Sequence, residues 1–197
     1  MPTNEPLFHI YTGLVSPNNF GDSLTNIAKN RKKVVINCQE QAIDFDKFKK
    51  RVVKKIGLPE SPKSCDALYL SKRDVVRWVL IEFKSGKIKN VKKNEIKEKV
   101  CDSLLLLTDE LNVTLNFTRE EFIFLFVYRP DENPQDFIEK HLSGKAEVPS
   151  IVSNLRRRLE KLYFKEVVAY TIQEFDREFN NRFIAAASVA SDGAVVV

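Results

Sequence analysis

Two stretches of this chain are apolar on both alternating faces. Val75 to Phe83 places Val76, Trp78 and Leu80 on one parity and Val75, Val79, Ile81 and Phe83 on the other, with Arg77 as the break. Glu121 to Tyr128 repeats the pattern, setting Phe122, Phe124 and Phe126 against Ile123, Leu125 and Val127. A strand of that kind has to be covered from above and below, which confines it to the interior of a sheet between layers of helices. Between the two runs, Ile96, Val100, Leu104, Leu107 and Leu111 predict a helix from about Lys92 to Leu111, with Cys101 and Leu105 widening its apolar stripe. Strand, long helix, strand is the order of a crossover that brings the chain back into the same sheet.

The rest of the chain supplies partners for that unit. From Asp44, a helix N-cap, Phe45, Phe48, Val52 and Ile56 recur at helical spacing until Gly57 and Pro59 stop them. The opposite face carries Lys47, Lys50, Arg51, Lys54 and Lys55 and reads first as a solvated surface. Upstream, turn chemistry at Phe20-Gly21-Asp22 precedes a short helix at Ser23 to Lys29 and a strand-like Val34-Val35-Ile36. Downstream, Pro130 and Pro134 punctuate a loop and Gln135 to His141 forms a short helix. A longer helix follows from Pro149 to Leu162, with Ile151, Leu155, Leu159 and Leu162 inward and Arg156-Arg157-Arg158 on its surface. Val167 to Ile172 is a last strand and Phe175 to Phe183 a helical turn or two. The expected fold is α/β (α+β), a mixed central β-sheet flanked by helices. Residues 1–184 form a single domain, and residues 185–197, rich in Ala, Ser and Val, form a loosely packed tail.

Composition removes several classes of chemistry. With only His9 and His141, a histidine zinc site, a Ser-His-Asp triad or a Cys-His dyad has almost no candidates. Six glycines and no G-x-x-x-x-G-K-[ST] or G-x-G-x-x-G leave no phosphate-cradling loop, so catalysis falls to carboxylates and lysine. Cys38, Cys65 and Cys101 are widely spaced and fit reduced thiols in the cytoplasm. The longest aliphatic run, Leu104 to Leu107, is far too short for a bilayer, so no membrane partner is expected. A net charge of +5 permits a polyanionic partner.

Charge is concentrated where the first doubly apolar strand ends. Asp66 opens the strand-like Ala67-Leu68-Tyr69-Leu70, and Glu82 and Lys84 close the next run. The midpoint between Asp66 and Glu82 falls in the polar segment Ser71-Lys72-Arg73-Asp74, so a hairpin there makes the two carboxylates neighbours across the ladder. Alternation projects Glu82 and Lys84 from one face, that of Trp78 and Leu80, where a carboxylate without a compensating cation is destabilising. In one reading the strand simply surfaces into solvent at Glu82. In the other, which the basic loop beyond favours, Asp66, Glu82 and Lys84 converge as a site for phosphate chemistry built on Mg2+ or Mn2+.

These residues and their order resemble the PD-(D/E)xK nuclease superfamily, with its restriction-endonuclease-like core, over about residues 40 to 130. The resemblance implies a metal-dependent nuclease that hydrolyses phosphodiester bonds, with Asp66, Glu82 and Lys84 catalytic. Its metal ligands would be Asp66, Glu82 and the backbone carbonyl of Phe83, and Glu40 would be an additional nearby acid. Lys87, Lys89, Lys92 and Lys93 would hold the nucleic-acid backbone, DNA ahead of RNA, and a homodimer is compatible with the family. Cys65 stands where the motif name has Pro. The family's extra strand has little room between Gly57 and Ser64, so Val34 to Asn37 is expected to supply it from before the helix. The alternative is a catalytically inactive nucleic-acid-binding or protein-interaction module on the same fold.

Overall fold

Strand β4 (Arg77–Lys87) pairs antiparallel with β3 (Ala67–Ser71) on one side and parallel with β5 (Phe122–Arg129) on the other. The computed structural model describes residues 21–30, 36–71, 77–130 and 149–184. Among them the sheet has six strands in chain order, completed by β1 (Gly21–Ser23), β2 (Gln41–Asp44) and β6 (Glu166–Thr171). Pairing is antiparallel from β1 to β4 and parallel from β4 to β6, so the sheet is mixed. The parallel step from β4 to β5 is made by the predicted crossover helix, α3 (Lys93–Leu111), followed by the short α4 (Leu115–Glu121).

Both faces of the central strands are covered, as their doubled apolar pattern requires. Leu68, Leu70, Trp78, Leu80, Phe122, Phe124 and Phe126 face one core, closed by α2 (Phe45–Ile56), α3 and α5 (Ser150–Leu159). Ala67, Tyr69, Val79, Ile81, Ile123, Leu125 and Val127 face the other, closed by α1 (Leu24–Lys29) and α6 (Ile172–Phe179), which continues into a π-helical turn, Asn180–Ile184. No helix among the described residues is long and apolar enough to cross a membrane.

Local signals act where the sequence places them. The Asp44 side chain caps α2 by accepting from the backbone N–H groups of Asp46 and Lys47, and Gly57 ends that helix at φ 69°. Asn112 ends α3 in the left-handed conformation.

Several expectations are corrected. The strand before α2 is Gln41–Asp44, while Ile36 to Glu40 belong to no strand and Val34 and Val35 lie outside the described residues. The cause is competition for backbone groups. The carbonyls of Cys38 and Glu40 accept the Thr25 and Leu24 N–H groups at the start of α1, and the Thr25 hydroxyl donates to the carbonyls of Ile36 and Cys38. Gly21 and Asp22, expected in a turn, pair with β2. Leu105 is 68% exposed, because Ser103 and Leu106 fill the flank of the stripe instead. Helix α5 ends at Leu159, Lys161 turns left-handed at φ 63°, and Leu162 is left exposed. Ile56 is exposed at the C-terminal end of α2. Residues 72–76 of the hairpin, the helix expected at Gln135 to His141 and the tail 185–197 lie outside the described residues.

Phe124 is fully buried beside Phe164, whereas Leu105 faces water. Phe124→Ala should therefore destabilise the protein by about 3–5 kcal/mol. Leu105→Ala should change stability by no more than about 0.5 kcal/mol. Urea denaturation of the two variants checks the pair, and similar midpoints would contradict the assigned faces.

Candidate functional site

The register of β3 on β4 assembles the cluster. Ala67 pairs with Ile81, so one step further along the ladder Asp66 stands opposite Glu82. Asp66 is fixed from three directions. Its N–H donates to the Ile81 carbonyl at 2.9 Å, its carbonyl accepts from Phe45 N–H at 3.0 Å, and its Oδ2 accepts from Phe83 N–H at 2.6 Å. Glu82 and Lys84 point from the face that also carries Trp78 and Leu80, and Asp66 shares the parity of Leu68. In the register of β5, Phe126 stands beside Glu82 and Tyr128 beside Lys84, and the two rings stack on each other. Asp66 and Glu82 are both 0% exposed, which rules out a strand merely surfacing into solvent at Glu82.

Lys99 of α3 joins them, a residue the sequence reading passed over. Its Nζ lies 2.8 Å from Glu82 Oε1 and 3.8 Å from Asp66 Oδ1. The signal was present in the helix period, since Lys99 is three residues after the buried Ile96 and four before the buried Ser103. Lys84 Nζ lies 3.3 Å from the same Glu82 Oε1 and 2.9 Å from Glu95 Oε1 in the first turn of α3. Acidic and basic groups thus alternate from Asp66 through Lys99, Glu82 and Lys84 to Glu95, running from the interior to the surface.

Burial first, then the neighbouring Asp66 charge, pushes the Glu82 pKa up to about 8, against the opposing pull of Lys99 and Lys84. Lys99 is itself drawn down by burial, but Glu82 and Asp66 outweigh that and hold its ammonium above the ordinary lysine range. The hydrogen bond from Lys84 lowers Glu95. Burial and the charge of Glu82 drive the Cys65 thiol well above its usual value, which keeps it an unreactive core residue, and Cys65 N–H donates to Ser103 Oγ.

The remaining expected residues divide. Lys92 and Lys93 are exposed and line an open cleft of roughly 580 Å3 with Lys63, Asn94, Glu95 and Glu98, next to Lys84 through Glu95. The side chains of Lys87 and Lys89 lie outside the described ones. Glu40 does not join the cluster. It accepts from the Tyr69 hydroxyl at 3.4 Å, and the Tyr69 ring packs into the opposite core against Phe179. The Arg156 guanidinium donates to the Val167 carbonyl near the N-terminal end of β6, away from the Glu82 to Lys84 end of the sheet.

Asp66 and Glu82 offer donor oxygens that could hold a divalent ion. Glu82 Oε2 is buried with no hydrogen-bond partner among the described residues, and a cationic group already stands between the two carboxylates. Phe83 N–H points to Asp66, and in an extended strand the carbonyl of the same residue points to the same side. No group of three or more His, Cys, Asp or Glu side chains that could hold a metal occurs among the described residues, so an ion here would depend on this carbonyl and on water to complete its shell. Comparison with known protein families, curated proteins and solved structures gave no match for this chain.

The raised pKa of Glu82 has a defined consequence for stability. The native state keeps a proton that the unfolded chain loses near 4.5, so this contribution is fully present below that pH and is lost as the pH rises through about 8. In metal-free buffer the urea midpoint should fall across this window, and Glu82→Gln should flatten the fall. Parallel profiles for the two proteins would show that Glu82 does not titrate as its burial requires.

Proposed function

We propose that this protein is a divalent-metal-dependent nuclease that hydrolyses phosphodiester bonds, with a restriction-endonuclease-like arrangement of its core. The observation that carries the reading is the facing, fully buried pair Asp66 and Glu82 with the Lys84 ammonium on the same face. Burying two facing carboxylates is unfavourable for folding alone, and such arrangements concentrate at functional sites.

When bound, Mg2+ or Mn2+ would polarise the phosphoryl oxygen and lower the pKa of an attacking water. Asp66, Glu82 and the Phe83 carbonyl would hold it. The Phe83 N–H holds Asp66 in orientation through Oδ2, with Oδ1 3.8 Å from the Lys99 ammonium. Lys84, at the partly exposed end of the cluster, would place a compact charge against the scissile phosphate. Lys92 and Lys93, with Lys63, would support the flanking backbone without reading bases.

One observation favours a second reading. Lys99 and Lys84 already counter both acids, which is also what a structural ion cluster in a catalytically inactive module would show.

Single- and double-stranded DNA and RNA assayed with Mg2+ or Mn2+ separate the two. Asp66→Asn and Glu82→Gln should abolish cleavage, and Lys84→Ala should lower the rate about a hundredfold or more while leaving affinity nearly intact. Lys92→Ala with Lys93→Ala should instead weaken binding and flatten its salt dependence. Salt-sensitive binding without any product would identify the inactive module, and no binding across the panel would rule out both nucleic-acid readings.

A further inference from the structure

Lys99 holds a place that the reaction does not explain. Its ammonium sits between the two buried acids, 2.8 Å from Glu82 Oε1 and 3.8 Å from Asp66 Oδ1. An ion bridging the same carboxylates would meet that ammonium directly, and two cations cannot share a gap of this size in a poorly solvated pocket. Lys84 does not fill the gap, since its shorter contact is with Glu95 at 2.9 Å, nearer the surface.

We propose that Lys99 is the resident cation of this site, occupying in the ion-free protein the position that a divalent ion takes, and that ion entry expels its ammonium along α3 toward Glu95. The inference rests on the reading of Asp66 and Glu82 as ion ligands and adds how that site is kept folded and guarded. Two features of the structure support it, and a third point follows from it.

The first is necessity. Lys99 is placed against both Asp66 and Glu82, each 0% exposed, whereas Lys84 reaches Glu82 from the surface side. A tethered ammonium lets the chain fold around the pair before any ion is present.

The second is an exit. Lys99 is 17% exposed along its side chain, and Glu95 lies four residues earlier on the same helix, the favourable order for a Glu–Lys pair. The Glu95 carboxylate already feels Lys99 as well as Lys84. A lysine stem is long and flexible enough to exchange one carboxylate for the other without moving the helix.

The third is consequence. As Lys99 arrives at Glu95, it competes with Lys84 for that carboxylate, and Lys84 becomes available to a phosphate. Ion loading and readiness of Lys84 are thereby linked through one acid, and loading selects for an ion that neutralises two carboxylates over one that neutralises a single charge.

The test uses the full chain and isothermal titration with MgCl2 or MnCl2 alone, for wild type, Lys99→Met, Lys99→Gln and Lys99→Arg. Removing the competing charge should tighten binding about tenfold or more in the Met and Gln variants, whereas the Arg variant should bind no tighter than wild type. Should the neutral variants be unfolded without metal, the same ions should fold them, read by circular dichroism. Nitrogen-15 NMR of the lysine side chains in wild type gives a second, mutation-free reading: the Lys99 Nζ signal should move saturably with Mg2+, at the midpoint found by titration.

Equal or weaker ion binding by both neutral variants, or a Lys99 signal unmoved at saturation, overturns the exchange. Tighter binding by those variants without cleavage of any substrate supports the exchange and removes the nuclease reading. Metal-dependent cleavage by wild type with no tightening in the variants does the reverse. No ion binding by any of the four proteins overturns both.

Discussion

The antiparallel register of β3 on β4 is the constraint on which the rest of the molecule depends. Because side chains alternate with a period of two, a slip by a single residue would turn Leu68, Leu70, Trp78 and Leu80 out of their core and carry the acids to the wrong side. The apolar pattern therefore holds the charged one in place. Leu70 opposite Trp78 and Leu68 opposite Leu80 are the hydrophobic pairs whose continuation along the same ladder sets Asp66 opposite Glu82. Packing and chemistry are specified by one alignment.

Helix α3 acts at both ends of that arrangement. Ile96, Val100, Leu104 and Leu107 anchor it to the sheet, and the same stripe delivers Lys99 into the acid pair and Glu95 to its rim. The helix is also the connection that makes β5 parallel to β4, which sets Phe126 beside Glu82. Burial of the pair, reinforced by the charge of Asp66, is the origin of the proton affinity of Glu82. A covalent necessity, the crossover, thus supplies both the apolar surroundings that raise the energy of the charges and the ammonium that lowers it.

The acids also differ in how they are held. Asp66 is tied to the backbone of β4 and of α2, so its position follows from secondary structure. The Glu82 carboxylate is met by the side chains of Lys99 and Lys84, which are long and can re-pair. A rigid acid next to an adjustable one suits a site whose cation changes, because one ligand keeps the geometry while the other follows the charge. It also concentrates the sensitivity to pH on Glu82.

Much of this was legible in the linear sequence, for identifiable reasons. Doubly apolar runs can survive only inside a covered sheet, so β4, β5 and the crossover helix followed from composition at alternate positions. The turn position between Asp66 and Glu82 supplied their pairing. Other features answered to forces with no local signature. Gln41–Asp44 became the strand before α2 because the carbonyls just upstream were engaged in capping α1. Leu105 and Leu162 look like core residues in the sequence, yet the angle of one helix and the end of another leave them in solvent. Glu40 stands half-buried on the opposite side of the sheet, where it accepts from the Tyr69 hydroxyl. Lys99 shows the division most clearly. Its place in the helix period was readable, but a lysine inside an apolar stripe has meaning only when two buried carboxylates from other strands stand within reach. The sequence by itself determined which residues must be hidden and which carried charge. Only the tertiary structure decided which charges were hidden together, because burial and Coulomb energy depend on distances that no spacing along the chain contains.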